Sequence, residues 1–164
     1  MAAVELRAFE EPDLEAVVEL SLRAWTPVFE SVRSELGDAI FARLHQPDWK
    51  TVQADAVRSG CTSDEHDVFV AVVDGRVVGF ATVALNAFHE RMGVVDMIAV
   101  DPEYQRRGIA RQLMDRCAEH MRASGMDIAA VGTGGDSGHA PARALYEALA
   151  YTALPGVRYL KLLD

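Results

Sequence analysis

Residues 67–86, DVFVAVVDGRVVGFATVALN, hold two β-branched runs separated by Asp74-Gly75. An Asp-Gly pair between such runs is the strongest short-range hairpin signal, because both central residues of the favoured tight turn need a positive φ. This feature commits the middle of the chain to antiparallel sheet. GVVDMIAV, residues 93–100, reads as another strand, stopped by Asp101-Pro102. Residues 108–124 then read as a helix with Ile109, Leu113, Met114, Cys117 and Met121 on one face, and Gly125 ends it.

The flanks extend this pattern. Val4 to Phe9 alternates as a first strand, and a helix follows from Pro12 with Leu14, Val17, Val18 and Leu22 at helical spacing. Residues 26–60 read as helix in two or three pieces, broken near Gly37 and at Pro47, with Gly60 as the stop. DIAAVGT is a short apolar strand of the kind buried on both sides, APARALYEALA a helix, and YTALPGVRYLKLL two strands around Pro155-Gly156. Antiparallel strands feeding a β-α-β-α segment imply an α/β fold, with a mixed, mostly antiparallel sheet of about seven strands and helices on both faces. The 164 residues suit one domain, 1–164.

A net charge of −9 argues against nucleic acid, which needs a basic surface to displace counterions. No apolar run approaches the roughly 18 residues of a membrane helix. MAAVELRAFEEPDLE lacks a basic region followed by an apolar block, so no signal peptide and a cytoplasmic location are expected. Cys61 and Cys117 have no metal-type spacing, and neither a disulfide nor a metal site is expected.

Against that acidic background Arg106, Arg107, Arg111, Arg116 and Arg122 gather within a few turns. A helix start leaves four main-chain N–H groups unpaired and carries partial positive charge, so anions bind there, phosphates above all. In QRRGIAR, Gly108 lets a ligand approach the backbone, small Ala110 keeps the next turn open, and Arg106, Arg107 and Arg111 add charge-assisted hydrogen bonds. The arrangement fits a pyrophosphate; a solvated basic helix face is the plainer alternative. No Gly-Lys-Ser/Thr follows, so it is not a Walker loop, and GTGGDSGHAPAR (132–143) lacks the third glycine of a dinucleotide loop.

VVDMIAVDPEYQRRGIARQLMDRC resembles the acetyl-CoA segment of the GNAT N-acetyltransferase superfamily, whose signature Q/R-x-x-G-x-G/A is filled by Gln105, Arg106, Arg107, Gly108, Ile109 and Ala110. ARALYEALAY is similar to the family's second landmark, a helix carrying a tyrosine before the last strands. The resemblance places the signature at 93–124 and the variable substrate-side helices at 26–60. It implies a splayed strand pair whose gap takes the pantetheine arm, with main-chain bonds from Ile98, Ala99 and Val100, and amides from Arg106 to Arg111 on the pyrophosphate.

The implied reaction is direct attack of a primary amine, of a small molecule or peptide, on acetyl-CoA in a ternary complex. Tyr146 is where the family places the acid that protonates the departing thiolate; its other reading is an aromatic packing its helix. The family's usual glutamate falls at Val94, which leaves Asp96, Glu90 and His89 as candidate bases, with His89 and Glu90 also readable as a polar loop tip. His139 stands where relatives carry an asparagine that contacts CoA, and Ala150 where they carry a glycine. Trp25, Phe29, Phe41, Trp49 and Phe88 are candidates for the acceptor pocket or for core. A homodimer, with the C-terminal strands contributing an edge, is compatible with the resemblance. Two rival readings are a non-catalytic acyl-CoA-binding module on the same fold and a nucleotide-binding domain.

Overall fold

The computed structural model describes residues 3–163. Its elements are β1 (Glu5–Ala8), α1 (Leu14–Leu36), α2 (Asp38–Leu44), α3 (Trp49–Thr62), β2 (Asp67–Val73), β3 (Arg76–Ala84), β4 (Met92–Val100), α4 (Ile109–Ala123), β5 (Ile128–Val131) and α5 (Ala140–Ala148). The five strands form one sheet in the order β1-β2-β3-β4-β5. All pairs are antiparallel except β4 with β5.

The β2–β3 hairpin turns where expected, with Asp74 at φ 50° and Gly75 at φ 76°. Alternation along β2 sends Phe69, Ala71 and Val73 to one face and Val68, Val70 and Val72 to the other. On the first face α4 brings Leu113, Met114, Cys117 and Met121, and on the second α1 and α3 bring Val17, Leu20, Val57 and Cys61. Both faces are covered, so the strands read as near-continuous apolar runs. Each fully buried Val or Leu contributes about 1.5–3 kcal/mol relative to exposure. The two cysteines lie in opposite layers and are free thiols.

Three expectations are corrected. The sheet has five strands rather than about seven, because residues 151–163 form no strand. Gly60 does not stop a helix: α3 continues through it to Thr62, and a Cβ there would sit 3.1 Å from Met97 Cε, so the glycine permits close packing of α3 on β4. The five arginines also disperse. Along a helix rising about 1.5 Å per residue, Arg116 and Arg122 are carried roughly 10–20 Å from the helix start, and Arg116 stacks on Phe69 instead.

Strand β4 carries the irregularity that shapes the site. Its register with β3 skips a residue, Thr82 facing Met97 and Val83 facing Val95, so Asp96 has no partner on β3. Such a bulge bends its strand and sharpens the twist. The fully buried Thr82 hydroxyl accepts the Met97 N–H at 3.0 Å, filling the broken ladder. Thr82→Val keeps the shape but leaves that N–H unpaired; a loss of about 1–3 kcal/mol in urea melts is expected, and an unchanged midpoint and slope would contradict this role.

Candidate active site

Pairing between β4 and β5 ends at Val95–Val131, beside the bulge. Beyond it the strands part, and a cleft of about 790 Å³ opens between Asp96–Val100 on one side and Val131–Thr133 on the other. That volume suits a small-molecule ligand. Asp101 N–H bonds to the Val78 carbonyl, so strand alternation turns the main-chain groups of Ile98 and Val100 toward the parted edge and those of Ala99 toward β3. An extended ligand arm in the cleft therefore meets Ile98 and Val100 as it would a neighbouring strand.

The cleft's floor continues into the turn before α4. Asp101, 1% exposed, accepts from Arg23 at 2.6 Å, Arg76 at 3.2 Å and the Glu103 N–H at 3.1 Å. Burial works to raise its pKa, but these partners, Arg23 foremost, outweigh it and hold the carboxyl below the usual range. The stability this gives is complete above the ordinary aspartate pKa and is lost as pH falls through the lowered folded value. The Gln105 side chain donates to the Val100 carbonyl at 3.0 Å, so it ties the end of β4 to the turn.

Arg106 adopts φ 59° and Gly108 φ 80°, left-handed conformations that swing the backbone into the first turn of α4. Helix α4 has no side-chain cap, and the amides of Gly108, Ile109, Ala110 and Arg111 find no acceptor among the described residues. Gly108, Ile109, Ala110, Arg111, Gln105 and Arg106 all line the cleft. Arg106, Arg107 and Arg111 make no ion pair with a carboxylate among the described residues. Arg107 faces away from the cleft, donating to the Glu103 carbonyl at 2.7 Å and stacking on Tyr104. Orphan amides beside the guanidinium groups of Arg106 and of Arg111, the latter donating to the Ala148 carbonyl at 3.4 Å, are a ready receptor for an anionic diphosphate.

The opposite wall comes from α5 and the loop before it. Tyr146 is 8% exposed and lines the cleft, and its hydroxyl has no hydrogen-bond partner among the described residues. Burial foremost, with Tyr151 adding, pushes its pKa up to about 12. The helix closes behind it: Tyr151 N–H bonds to the Tyr146 carbonyl and Ala150 N–H to the Glu147 carbonyl, with Ala150 at φ 63°. This is a Schellman cap, and Ala150 adopts the left-handed conformation a glycine takes more cheaply. His139 also lines the cleft, with Nδ1 bonded to Asp136. Asp136 further accepts from Ser31 of α1 at 2.7 Å, while Arg143 holds the Gly134 and Asp136 carbonyls. Burial tends to raise the Asp136 pKa, but the Ser31 and His139 bonds prevail and lower it. The loop 132–139 is thus a fastened wall.

Of the candidate bases, only Asp96 lines the cleft. Its carboxylate lies 3.5 Å from His66 Nε2, and His66 Nδ1 is buried without a partner. His89 and Glu90 sit in the β3–β4 loop, outside the lining. Among the aromatics, Trp25 and Phe29 line the cleft, Phe29 stacks on Trp49 at 4.4 Å and meets Phe41 edge-on, and Phe88 is exposed. Sequence reasoning missed Thr82, Asp136, Ser31 and His66; only Asp136, an N-cap-type residue before Ser-Gly-His, left a local trace.

Among the described residues no helix is long and apolar enough to cross a membrane, and no group of three or more His, Cys, Asp or Glu side chains is placed to hold a metal. The family model described as Acetyltransferase (GNAT) family matches residues 14–151. The uncharacterized N-acetyltransferase YafP of Escherichia coli is 26% identical over 114 residues, 70% of this chain and 65% of that protein. Among solved structures, the aminoglycoside N-acetyltransferase AAC(6')-Iy in complex with CoA superposes with TM-score 0.69 at 17% identity, covering 99% of this chain and 96% of its own. A ribosomal-protein-alanine N-acetyltransferase from Brucella melitensis does so with TM-score 0.64 at 19% identity, over 98% and 100%.

Proposed function

This chain belongs to the GNAT acetyltransferase family, and from that premise we propose that it transfers an acetyl group from acetyl-CoA to a primary amine of a small molecule or peptide. The observation that carries the reading is the run of unpaired amides from Gly108 to Arg111 opening onto the parted β4 edge. The diphosphate of the donor sits on those amides with Arg106 and Arg111, and its pantetheine arm runs along Ile98 and Val100. Acetyl-CoA, when bound, would supply the activated thioester carbonyl.

Chemistry falls where the cleft's two walls meet. The amine nitrogen bonds to the carbonyl carbon as the C–S bond breaks. Asp96, directly or through water, takes the proton from nitrogen, and Tyr146 gives one to sulfur. Trp25 and Phe29 form the acceptor side, and His139 hydrogen-bonds the arm through its free Nε2. His66 positions the Asp96 carboxylate.

Purified protein incubated with acetyl-CoA and a panel of amines is expected to release free thiol only when a suitable amine is present. CoA binding without amine-dependent release across a broad panel would instead favour a non-catalytic acyl-CoA module. A thermal shift with ATP as large as that with CoA would favour a nucleotide-binding domain. Asp96→Asn keeps the bulge and removes the base; a fall in kcat of roughly 10- to 100-fold with little change in KM for acetyl-CoA is expected. Full activity in that variant would overturn the assignment of Asp96.

A further inference from the structure

If the cleft transfers acetyl as proposed above, on which this inference rests, its side toward α1 and α3 is what remains for the acceptor amine. Trp25, Val28 and Phe29 of α1, Gln53 of α3 and Asp96 of β4 line it there. Trp25 and Phe29 are one helical turn apart, so their rings share a face of α1. Both rings are held. Trp25 meets Phe80 edge-on with ring centres 6.2 Å apart, and Phe29 is stacked on Trp49 and braced by Phe41. An aromatic wall fixed in advance spares a ligand the entropy of ordering it.

Polar groups are few on that side. Among the described residues Asp96 is the only carboxylate lining the cleft, and Gln53 is the only polar side chain that α3 adds. The cleft's arginines, Arg106 and Arg111, stand at the other end of the Asp96–Val100 edge, at the start of α4. One carboxylate holds one ammonium. A second ammonium would lose its water without a counter-charge, and a substrate carboxylate would face Asp96 with no cation beside it. Sugar hydroxyls or peptide amides would leave water for a wall that offers almost no partners. An aromatic body loses nothing there, because it buries apolar area and stacks on Trp25 and Phe29. The ring faces also attract the ammonium on its way to Asp96. Residues 1–65, which include this wall, carry thirteen Asp and Glu against six Arg and Lys, a field that draws cations and repels anions.

We infer that the acceptor is a small aromatic monoamine: one ammonium on a short chain, a flat apolar body and no carboxylate. The ammonium is held at Asp96 and the ring lies against Trp25 and Phe29. In turnover the nitrogen bonds to the acetyl carbon as the C–S bond breaks. The ammonium gives up two protons in becoming an amide; one balances the thiol of CoA and the other leaves to solvent.

Rates of thiol release at fixed acetyl-CoA are compared for 2-phenylethylamine, phenylalanine, spermidine, kanamycin A and the peptide Ala-Gly-Gly. 2-Phenylethylamine is expected to have the highest kcat/KM, by roughly tenfold over each of the others. An equal or higher value for any of them overturns the inference and leaves acetyl transfer standing. Should no amine release thiol, acetyl transfer fails and binding decides the inference. The chain's two tryptophans, Trp25 and Trp49, both belong to this wall and report it by fluorescence. With CoA present, 2-phenylethylamine is expected to saturate the change at roughly a tenth of the concentration the others need, and equal or weaker binding overturns the inference. Phe29→Leu is expected to lower kcat/KM for 2-phenylethylamine roughly 3- to 10-fold more than that for ethylamine; equal falls would remove the ring contact and overturn it. Gln53→Glu supplies a second carboxylate and is expected to raise kcat/KM for 1,4-diaminobutane relative to 2-phenylethylamine roughly three- to fivefold. An unchanged ratio would mean that the number of carboxylates does not select the acceptor, and would overturn the inference.

Discussion

Tyr146→Phe is expected to lower the amine-dependent release of CoA thiol by about 100-fold or more while leaving the melting temperature and the KM for acetyl-CoA nearly unchanged. The ring is what packs, against Tyr151 and the core around α4, and phenylalanine preserves it. The hydroxyl has no partner among the described residues, so its removal orphans nothing in the protein. What is lost is the donor facing the cleft. A phenol pushed up to about 12 looks at first too weak an acid for a thiolate, since an ordinary thiol titrates near 8.5. Loss of water on entering the cleft disfavours a departing thiolate as burial disfavours the phenolate, so both acidities move in the same direction. The phenol therefore remains a usable donor to sulfur as the C–S bond breaks. Near that high value the phenol is also uncharged at every working pH, so Tyr146 imposes no alkaline limb below it. Retention of activity within about threefold in Tyr146→Phe would leave the tyrosine as a packing aromatic and oblige another group to serve the sulfur.

What could be read from the sequence were the features set by neighbours in the chain. The hairpin at Asp74-Gly75, the strand ending at Asp101-Pro102, and the helix opening at Gly108 each depend on a few adjacent residues, and each is where it was expected. The parts that escaped depend on partners distant in sequence. Asp96 is a bulge only because Thr82 takes the Met97 N–H across the sheet, which no pattern within GVVDMIAV reveals. Asp136 gains its hold on His139 with the help of Ser31, a residue more than 100 positions away. Gly60 looked like a helix stop because its need for space comes from Met97, on another element. The tail at 151–163 has the composition of strands, but composition does not provide a neighbour, and the tail pairs with no strand among the described residues. The expected seven strands came from the assumption that every β-prone run finds a partner in its own chain.

Ala110→Glu separates the stability of the fold from the binding of the donor. Ala110 sits in the first turn of α4, where the backbone dipole favours a negative charge, so a glutamate there stabilises the helix by about 0.3–1 kcal/mol. The apo protein is therefore expected to melt at the same temperature or slightly higher. For a diphosphate on the Gly108–Arg111 amides the same carboxylate is a like charge at close range. At about 5 Å and an effective dielectric near 20, repulsion is on the order of 3 kcal/mol before salt screening, enough to weaken CoA binding roughly 30- to 100-fold. Ala110→Gln has the same length without the charge, and is expected to lose only the part due to crowding. The two affinities, measured by titration calorimetry at fixed ionic strength, divide the effect between volume and charge. Equal losses in both variants would mean that the cleft mouth excludes side chains sterically and that the anion lies elsewhere. An unchanged affinity in Ala110→Glu, in a protein that binds CoA, would remove the diphosphate from this helix altogether, and with it the alignment of the thioester between Asp96 and Tyr146.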